Sequence, residues 1–447
     1  MITDKTEFDA IVVGTGPGGG TLARDLTRKG QNVLILEWGF NGPATGSLLK
    51  FVRDCFLVGK SLYLTRDLAG IVRGVCNGGS SLYYCGTAFE PPYDMMNSHG
   101  IDLSEEATAL KKEVPFGTLS DELMAPGGKL FLESALALGY PAKKNPKFIY
   151  QNKCKPKCQL CMLGCPYNAK WHGGHFVDDA LEGSAKLIAK AKVTKVLTED
   201  KKAVGVEYKK GRETYRAYAT NVILAAGGCG SPMILRETGI ENVGYDLFFD
   251  PIRFVYGTVK EMDGAHGVPM SSVLHFEEDG ILMTDLHMPR SLKMLFDLHT
   301  LKPHRMFSFN RVLPIMVKVR DDLGGRLTRK GWVSKKLQKS DYAKLDKGME
   351  HAKQILANLG ATNIYNSWVF AAHPGGTVKI GEHVDENLKT EIDNLYVCDA
   401  SVIPEPWGLP PTYTVLCLAR RLSKHLLGLE QAAANKEMVA AHAVAKA

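Results

Sequence analysis

No run of about eighteen apolar residues occurs in the chain, so a membrane-spanning helix is not expected. The opening residues, Met1 to Asp9, hold no apolar signal core, and the expected address is the cytoplasm. No arginine-rich stripe with interleaved aromatic residues is present. The net charge of +7, from 55 basic against 48 acidic residues, is a mild excess over 447 positions, which argues for a solvated surface and against a nucleic-acid partner. No internal repeat is visible, so solenoids and propellers are set aside. A disulfide framework is not expected either, because cytoplasmic thiols stay reduced; the ten cysteines need another explanation.

What is there is an ordinary globular composition, 45% hydrophobic and 23% charged, in a chain too long for one ordinary core. Glycine is plentiful, with 45 residues, many in short clusters beside strand ends where backbone must approach a ligand. The opening reads as strand (Phe8 to Gly14), glycine turn, helix (about Thr21 to Lys29) and strand (Asn32 to Glu37), a βαβ start with apolar runs suited to a buried parallel sheet. Residues 45 to 72 read as helical and apolar. Helices are expected near 127–139 and 178–186, and strands at 192–198, 203–209 and 221–226. The segments Ile252–Val259, Ser271–Phe276 and Arg311–Val319, with a helix at 341–359, suggest a separate sheet covering the ligand. The strand Asn394–Asp399, a proline-rich turn and a helix from about Thr414 to Leu427 return to strand–turn–helix order.

Gly14-x-Gly16-x-x-Gly19 lies between the first strand and first helix. Its glycines allow the tight turn, the close approach of a pyrophosphate and helix–strand packing, and the helix N-terminus then faces the phosphates. Glu37 closes the second strand about twenty residues on, where a ribose-hydroxyl acceptor belongs. This motif by itself does not separate FAD from NAD.

Four further segments carry a resemblance. Arg73 to Pro91, with Gly79, Ser80 and Ser81 at its centre, resembles the second glycine stretch of the glucose–methanol–choline (GMC) oxidoreductases, in the variant found in cholesterol oxidase. Gly227 to Ile240 resembles that family's second signature, with Thr238 where serine is usual and Glu241 where glycine is usual. His373-Pro-Gly-Gly-Thr377 resembles the active-site histidine segment, and Asp399–Pro404 followed by Gly408–Thr414 resembles the C-terminal flavin-binding segment. The resemblance implies FAD, held by Gly14, Gly16, Gly19, Glu37, Arg73, Gly79, Ser80, Ser81, Asp399, Ala400, Pro411 and Thr412. The second glycine stretch has no histidine to tether the flavin, which implies non-covalent binding.

A flavin accepts a hydride from carbon when a base removes the accompanying hydroxyl proton. The resemblance maps that base to His373. The family's second polar residue falls at Pro410, which has neither a polar side chain nor a backbone N–H. Tyr413 is the expected catalytic substitute, with Thr412 and Tyr84 as alternatives. The incomplete grip leaves open a reaction at a C–C bond, as in an ene reductase or desaturase.

Cys154-x3-Cys158-x2-Cys161-x3-Cys165-Pro166 contains the ending of ferredoxin-type loops. Four soft ligands in one loop suit an iron–sulfur cluster, [4Fe–4S] ahead of [3Fe–4S], with zinc or no metal as alternatives. Lys143, Lys144, Lys147, Lys153, Lys155 and Lys157 crowd the loop, and His172 and His175 follow it.

The expected fold is α/β: a Rossmann-type FAD-binding domain (1–90, 150–245 and 365–430) interleaved with an α+β substrate or cap domain on a mostly antiparallel sheet (91–149 and 246–364), then a tail at 431–447. The expected function is a dehydrogenase taking a hydride from a hydroxyl-bearing, apolar organic substrate and passing electrons through the cluster to an acceptor protein or quinone. A non-catalytic electron-transfer flavoprotein subunit is the remaining alternative, and peripheral membrane contact stays open.

Overall fold

Two large sheets organise the chain, and the first is built from its beginning, middle and end. The computed structural model describes residues 7–65, 69–262, 266–299 and 309–429. The expected tail at 431–447 lies outside these residues.

Strand Phe8–Val13 pairs in parallel with Val33–Glu37 on one side and Glu213–Leu224 on the other. Lys186–Ala189 extends the parallel set past Val33–Glu37, and Leu395–Val397 joins Glu213–Leu224 in parallel. The antiparallel strands Lys202–Lys210 and Ala191–Glu199 complete a seven-stranded mixed sheet. Val33–Glu37 is buried at every position, as its continuous apolar run requires. Helix Pro17–Arg28 packs beneath it against helices Gly173–Glu182 and Thr412–Leu426.

The second sheet has nine strands and is antiparallel except where Phe370–Ala371 meets Gly70–Val72. Its centre is Pro251–Thr258, Val312–Val319, Ile281–Asp285 and Ser272–Phe276. Helix Lys339–Asn358 covers one face, burying Leu345, Met349, Ile355 and Leu356 against Ile315 and Val317. The opposite face, turned toward the first sheet, carries the alternate residues of the same strands, because successive side chains of a strand point to opposite sides.

Residues 45 to 72 depart from the helical reading. A helix runs only over Leu48–Cys55, N-capped by the Ser47 hydroxyl, which accepts from Lys50 N–H. Leu62–Leu64 and Gly70–Val72 then pair as an antiparallel ladder on the edge of the second sheet. Gly59, at a left-handed φ of 78°, turns the chain out of the helix.

Among the described residues, no helix is long and apolar enough to cross a membrane.

Candidate active site

A cavity of about 930 Å³ lies between the two sheets, at the upper end of the roughly 300–1,000 Å³ common for small-molecule and cofactor sites. Its walls join every resemblance-bearing segment: Gly14 and Gly16, Arg73 to Gly74, Gly79 to Ser81, Ala226 to Gly230, His373, Asp399 to Ala400, and Pro410 to Thr412.

The glycine elbow shows why it needs glycine. Gly14 has φ 106°, and a Cβ there would sit 2.3 Å from the Ala225 carbonyl oxygen. Gly18 lies so close to Cys398 that a Cβ would come within 2.1 Å of its carbonyl oxygen, and Gly19 has the same relation to Gly14 at 2.1 Å. These contacts lock the start of helix Pro17–Arg28 against the strand ends. Gly16 and Gly227 are different: a Cβ on either would meet nothing within 4 Å. Both line the cavity, so the helix N-terminus has open approach for an anionic group. On these observations the cradle fits a dinucleotide.

Glu37 is buried and lines the cavity. Its Oε2 accepts from Thr15 Oγ1 (2.6 Å) and Thr15 N–H (3.1 Å), and its Oε1 from Gly39 N–H (2.6 Å). Burial pushes its carboxyl above the usual range, against the pull of these bonds. Arg73 donates to the Lys60 carbonyl and to the Tyr63 hydroxyl. Ser80 Oγ accepts from Gly74 N–H, while Ser81 Oγ donates to the Gly78 carbonyl and accepts from Gly173 N–H. Asp399 ties two signature segments together: Oδ2 accepts from Gly227 N–H (2.8 Å) and Ser231 Oγ (2.5 Å), and Oδ1 from Ser401 N–H (2.8 Å).

His373 lines the cavity, and its side chain keeps 28% exposure. Its φ of 52° is unusual for a residue with a side chain, and so is the φ of 42° at Asp250. The two are stitched together by backbone bonds: Ala372 N–H donates to the Phe249 carbonyl, and Gly375 N–H to that of Phe248. His373 Nδ1 lies 2.9 Å from Asp250 Oδ2. A carboxylate only accepts, so Nδ1 carries the proton and Nε2 is left as the basic nitrogen. The same Oδ2 accepts from Lys318 Nζ at 2.9 Å, and the Lys318 and Asp250 side chains are 1% and 2% exposed. Burial would raise the Asp250 carboxyl, but Lys318 and His373 more than offset it and hold it below the usual range. His373 is pushed down by burial first and by the Lys318 charge second, with Asp250 opposing. The imidazole is therefore held neutral. Asp250 and Lys318 were not visible as functional residues in the sequence.

Beside this group, the strands of the second sheet line the cavity with apolar residues. Ile252 and Phe254 alternate along one strand, and Met316 faces Phe254 from the next; Met270, Leu286 and Phe370 complete the surface.

One expectation is corrected, and one is left without support. Tyr413 does not reach the cavity: it is fully buried, its hydroxyl donates to the Ala107 carbonyl, and its ring packs between Phe116 and Phe148. It falls on the inward face of helix Thr412–Leu426, one residue past the cavity-lining Thr412. The four cysteines are also not gathered as a ligand set, since among the described residues no three His, Cys, Asp or Glu side chains are grouped to hold a metal ion. Cys161 and Cys165 are buried while Cys154 and Cys158 are half-buried. Burial raises the Cys154 thiol to about 11 and the Cys161 thiol to about 12. His172 and His175 are helix-capping residues: His172 Nδ1 accepts from Gly174 N–H, and His175 Nδ1 from His172 N–H.

Models of the GMC oxidoreductase family match residues 102–252 and 326–419. The chain is 27% identical to an uncharacterized protein of Methanocaldococcus jannaschii, over 94% of this chain and all of that one. It is 24% identical to a long-chain-alcohol oxidase of Arabidopsis thaliana, over 93% of this chain and 68% of the relative. Among solved structures it shares its fold with pyridoxine 4-oxidase from Mesorbium loti, at TM-score 0.73 and 16% identity, covering 94% of this chain and 99% of that one. A formate oxidase variant of Aspergillus oryzae matches at TM-score 0.76 and 16% identity, covering 96% and 99%.

Proposed function

The chain belongs to the GMC oxidoreductases, FAD-dependent enzymes, and from that premise we propose that it oxidises a hydroxyl-bearing, apolar organic substrate. Residues 1–90, 150–245 and 365–430 would serve the cofactor, and 91–149 and 246–364 the substrate. Gly14, Gly16 and Gly19 would hold the pyrophosphate of non-covalently bound FAD, Glu37 the adenosine ribose, and Asp399 and Ala400 the pyrophosphate or ribitol. Arg73, Gly79, Ser80 and Ser81 would lie along the flavin side, with Pro411 and Thr412 near its ring. The flavin, when bound, supplies a hydride acceptor.

The chain's own part is to orient the hydroxyl and take its proton. One observation carries this reading: a neutral imidazole, fixed at Nδ1 by a buried carboxylate 2.9 Å away, stands on the wall of the same cavity as the glycine elbow and the C-terminal turn. Its Nε2 accepts the hydroxyl proton. The apolar face of Ile252, Phe254, Met316 and Phe370 favours a hydrocarbon body on the substrate, and the plant relative bears the name long-chain-alcohol oxidase.

Anaerobic mixing with a series of primary alcohols tests the reading. Alcohols are expected to bleach the flavin band, and His373→Asn to slow this by about 10²–10⁴-fold. Flavin that no alcohol reduces, but that enoate-type compounds reoxidise once it is reduced, would transfer the assignment to C–C bond chemistry.

The iron–sulfur exit stays a proposal with one feature in its favour. Lys170 is fully buried beside the cysteine loop, and its ammonium donates to the carbonyls of Leu82, Tyr84 and Cys161. No carboxylate pairs with it among the described residues. An anionic cluster would balance that charge. Iron and acid-labile sulfide in anaerobically purified protein would support it; fully active, iron-free protein would remove it.

A further inference from the structure

We propose that Lys318 is a catalytic residue that grips the substrate oxygen in place of the polar side chain that Pro410 lacks. The inference rests on the alcohol-oxidation reading and adds to it the second half of the hydroxyl-binding site.

The argument begins with the strand. Val312–Val319 is buried along its whole length, and its sequence, Val-Leu-Pro-Ile-Met-Val-Lys-Val, is apolar but for one residue. Ile315 and Val317 point into the core beneath helix Lys339–Asn358. Met316 and Lys318, two apart, therefore share the other face, and both line the cavity. In the ladder Lys318 stands opposite Ile252, as Met316 does Phe254, and both partners are also cavity residues. Among the cavity-lining residues of these two strands, the lysine is the one charged position.

A buried ammonium is costly unless its three N–H groups are satisfied. Among the described residues Lys318 Nζ has a single partner, Asp250 Oδ2 at 2.9 Å. The remaining N–H groups belong to a side chain on the cavity wall beside His373, which shares that same carboxylate oxygen. Lysine and histidine thus converge on one carboxylate oxygen, in the cavity that Pro410 also lines without a polar side chain. The other titratable groups around Lys318 are Asp250, His373, His275 and Asp321, the last neutralised by Lys335 at 2.5 Å. None of these takes up the free N–H groups.

The division of work follows. The substrate hydroxyl gives its proton to His373 Nε2 and the C–O bond becomes a carbonyl, the carbinol hydride leaving to the acceptor that FAD would supply. The oxygen carries negative charge as the proton leaves ahead of the hydride. Lys318 donates to that oxygen, and its positive charge is worth more there than in water because the wall around it is dry.

The test uses the flavin-loaded full chain, with Lys318→Met, Lys318→Arg and the paired Asp250→Asn/Lys318→Met variant. The pair removes the unbalanced buried carboxylate that could unfold the single variant. Two readouts are taken: alcohol oxidation across pH, and calorimetric binding of decanoate, an unreactive carboxylate that stands in for the charged oxygen. Lys318→Met, or the paired variant measured against Asp250→Asn if the single one does not fold, is expected to lower kcat by about 100-fold with a smaller change in KM. Decanoate affinity is expected to fall at least about tenfold, and Lys318→Arg to restore much of it. A folded variant without the lysine that binds decanoate and oxidises alcohols like the wild type overturns the proposal. If the wild type oxidises no alcohol, the function reading fails by itself, and decanoate binding still decides for or against Lys318.

Discussion

At the scale of single residues, the histidines divide by what their nitrogens touch. His373 has a carboxylate on Nδ1 and a cavity in front of it. His287 is its opposite: it is 1% exposed, and among the described residues neither ring nitrogen has a partner. Burial, with a smaller push from His266, lowers its pKa from 6.5 to about 4. The folded protein thus keeps His287 neutral in a range where the unfolded chain binds a proton. Its contribution to stability is complete above about pH 6.5, declines as pH falls, and levels off below about pH 4. At roughly 1.4 kcal/mol per unit, a loss on the order of 3 kcal/mol is expected across that window. Urea unfolding at pH 7 and pH 5 should show it, and His287→Leu should flatten the slope. An unchanged slope in the variant would place the effect elsewhere.

His373 was legible in the sequence because its neighbours Pro374 to Thr377 mark a segment type. Asp250 and Lys318 were not. Each is an isolated charge in an apolar stretch, and only the pairing of Pro251–Thr258 with Val312–Val319 shows that they meet. Tyr413 misled for a related reason: a position in a helix sequence does not reveal which face the cavity takes.

At the scale of elements, the parallel strands other than Lys186–Ala189, and the long helices, could be read because their hydrophobic periods are unambiguous. Three of the second sheet's four central strands were legible as extended segments, and Ile281–Asp285 was not. The short edge strands Leu62–Leu64 and Gly70–Val72 were not, since a three-residue strand has too little period to distinguish from an apolar helix. The cysteine loop shows the same limit: spacing gives the chance of a ligand set, and the fold decides whether the thiols meet.

One contact between elements has a testable cost. A Cβ on Gly228 would lie 1.8 Å from the Pro374 carbonyl oxygen, so the second signature and the histidine segment touch backbone to backbone. Gly228→Ala is expected to lower stability by about 1–3 kcal/mol and to shift His373 away from Asp250. Thermal melting and a drop in kcat/KM check this together. A variant as stable and as active as the wild type would show that the segments have room to part.

At the scale of the whole molecule, the chain leaves and re-enters the first sheet so that its start, middle and end meet at one cavity. On the proposed reading, the glycine elbow, the Asp399 clamp and the C-terminal turn would make the nucleotide side. The second sheet contributes the apolar wall and the Asp250–Lys318 pair, and the His373 segment bridges the two. On that reading the cofactor grip and the apolar wall would lie on different sheets, and the wall could vary without disturbing the cradle. The most direct measurement of this arrangement is anaerobic single-turnover flavin reduction by a long-chain primary alcohol, with and without deuterium on the carbinol carbon. Reduction that is slowed by deuterium, and lost in His373→Asn while the flavin remains bound, is the expected result. Reduction insensitive to both the isotope and the histidine, or none with any alcohol, would contradict it.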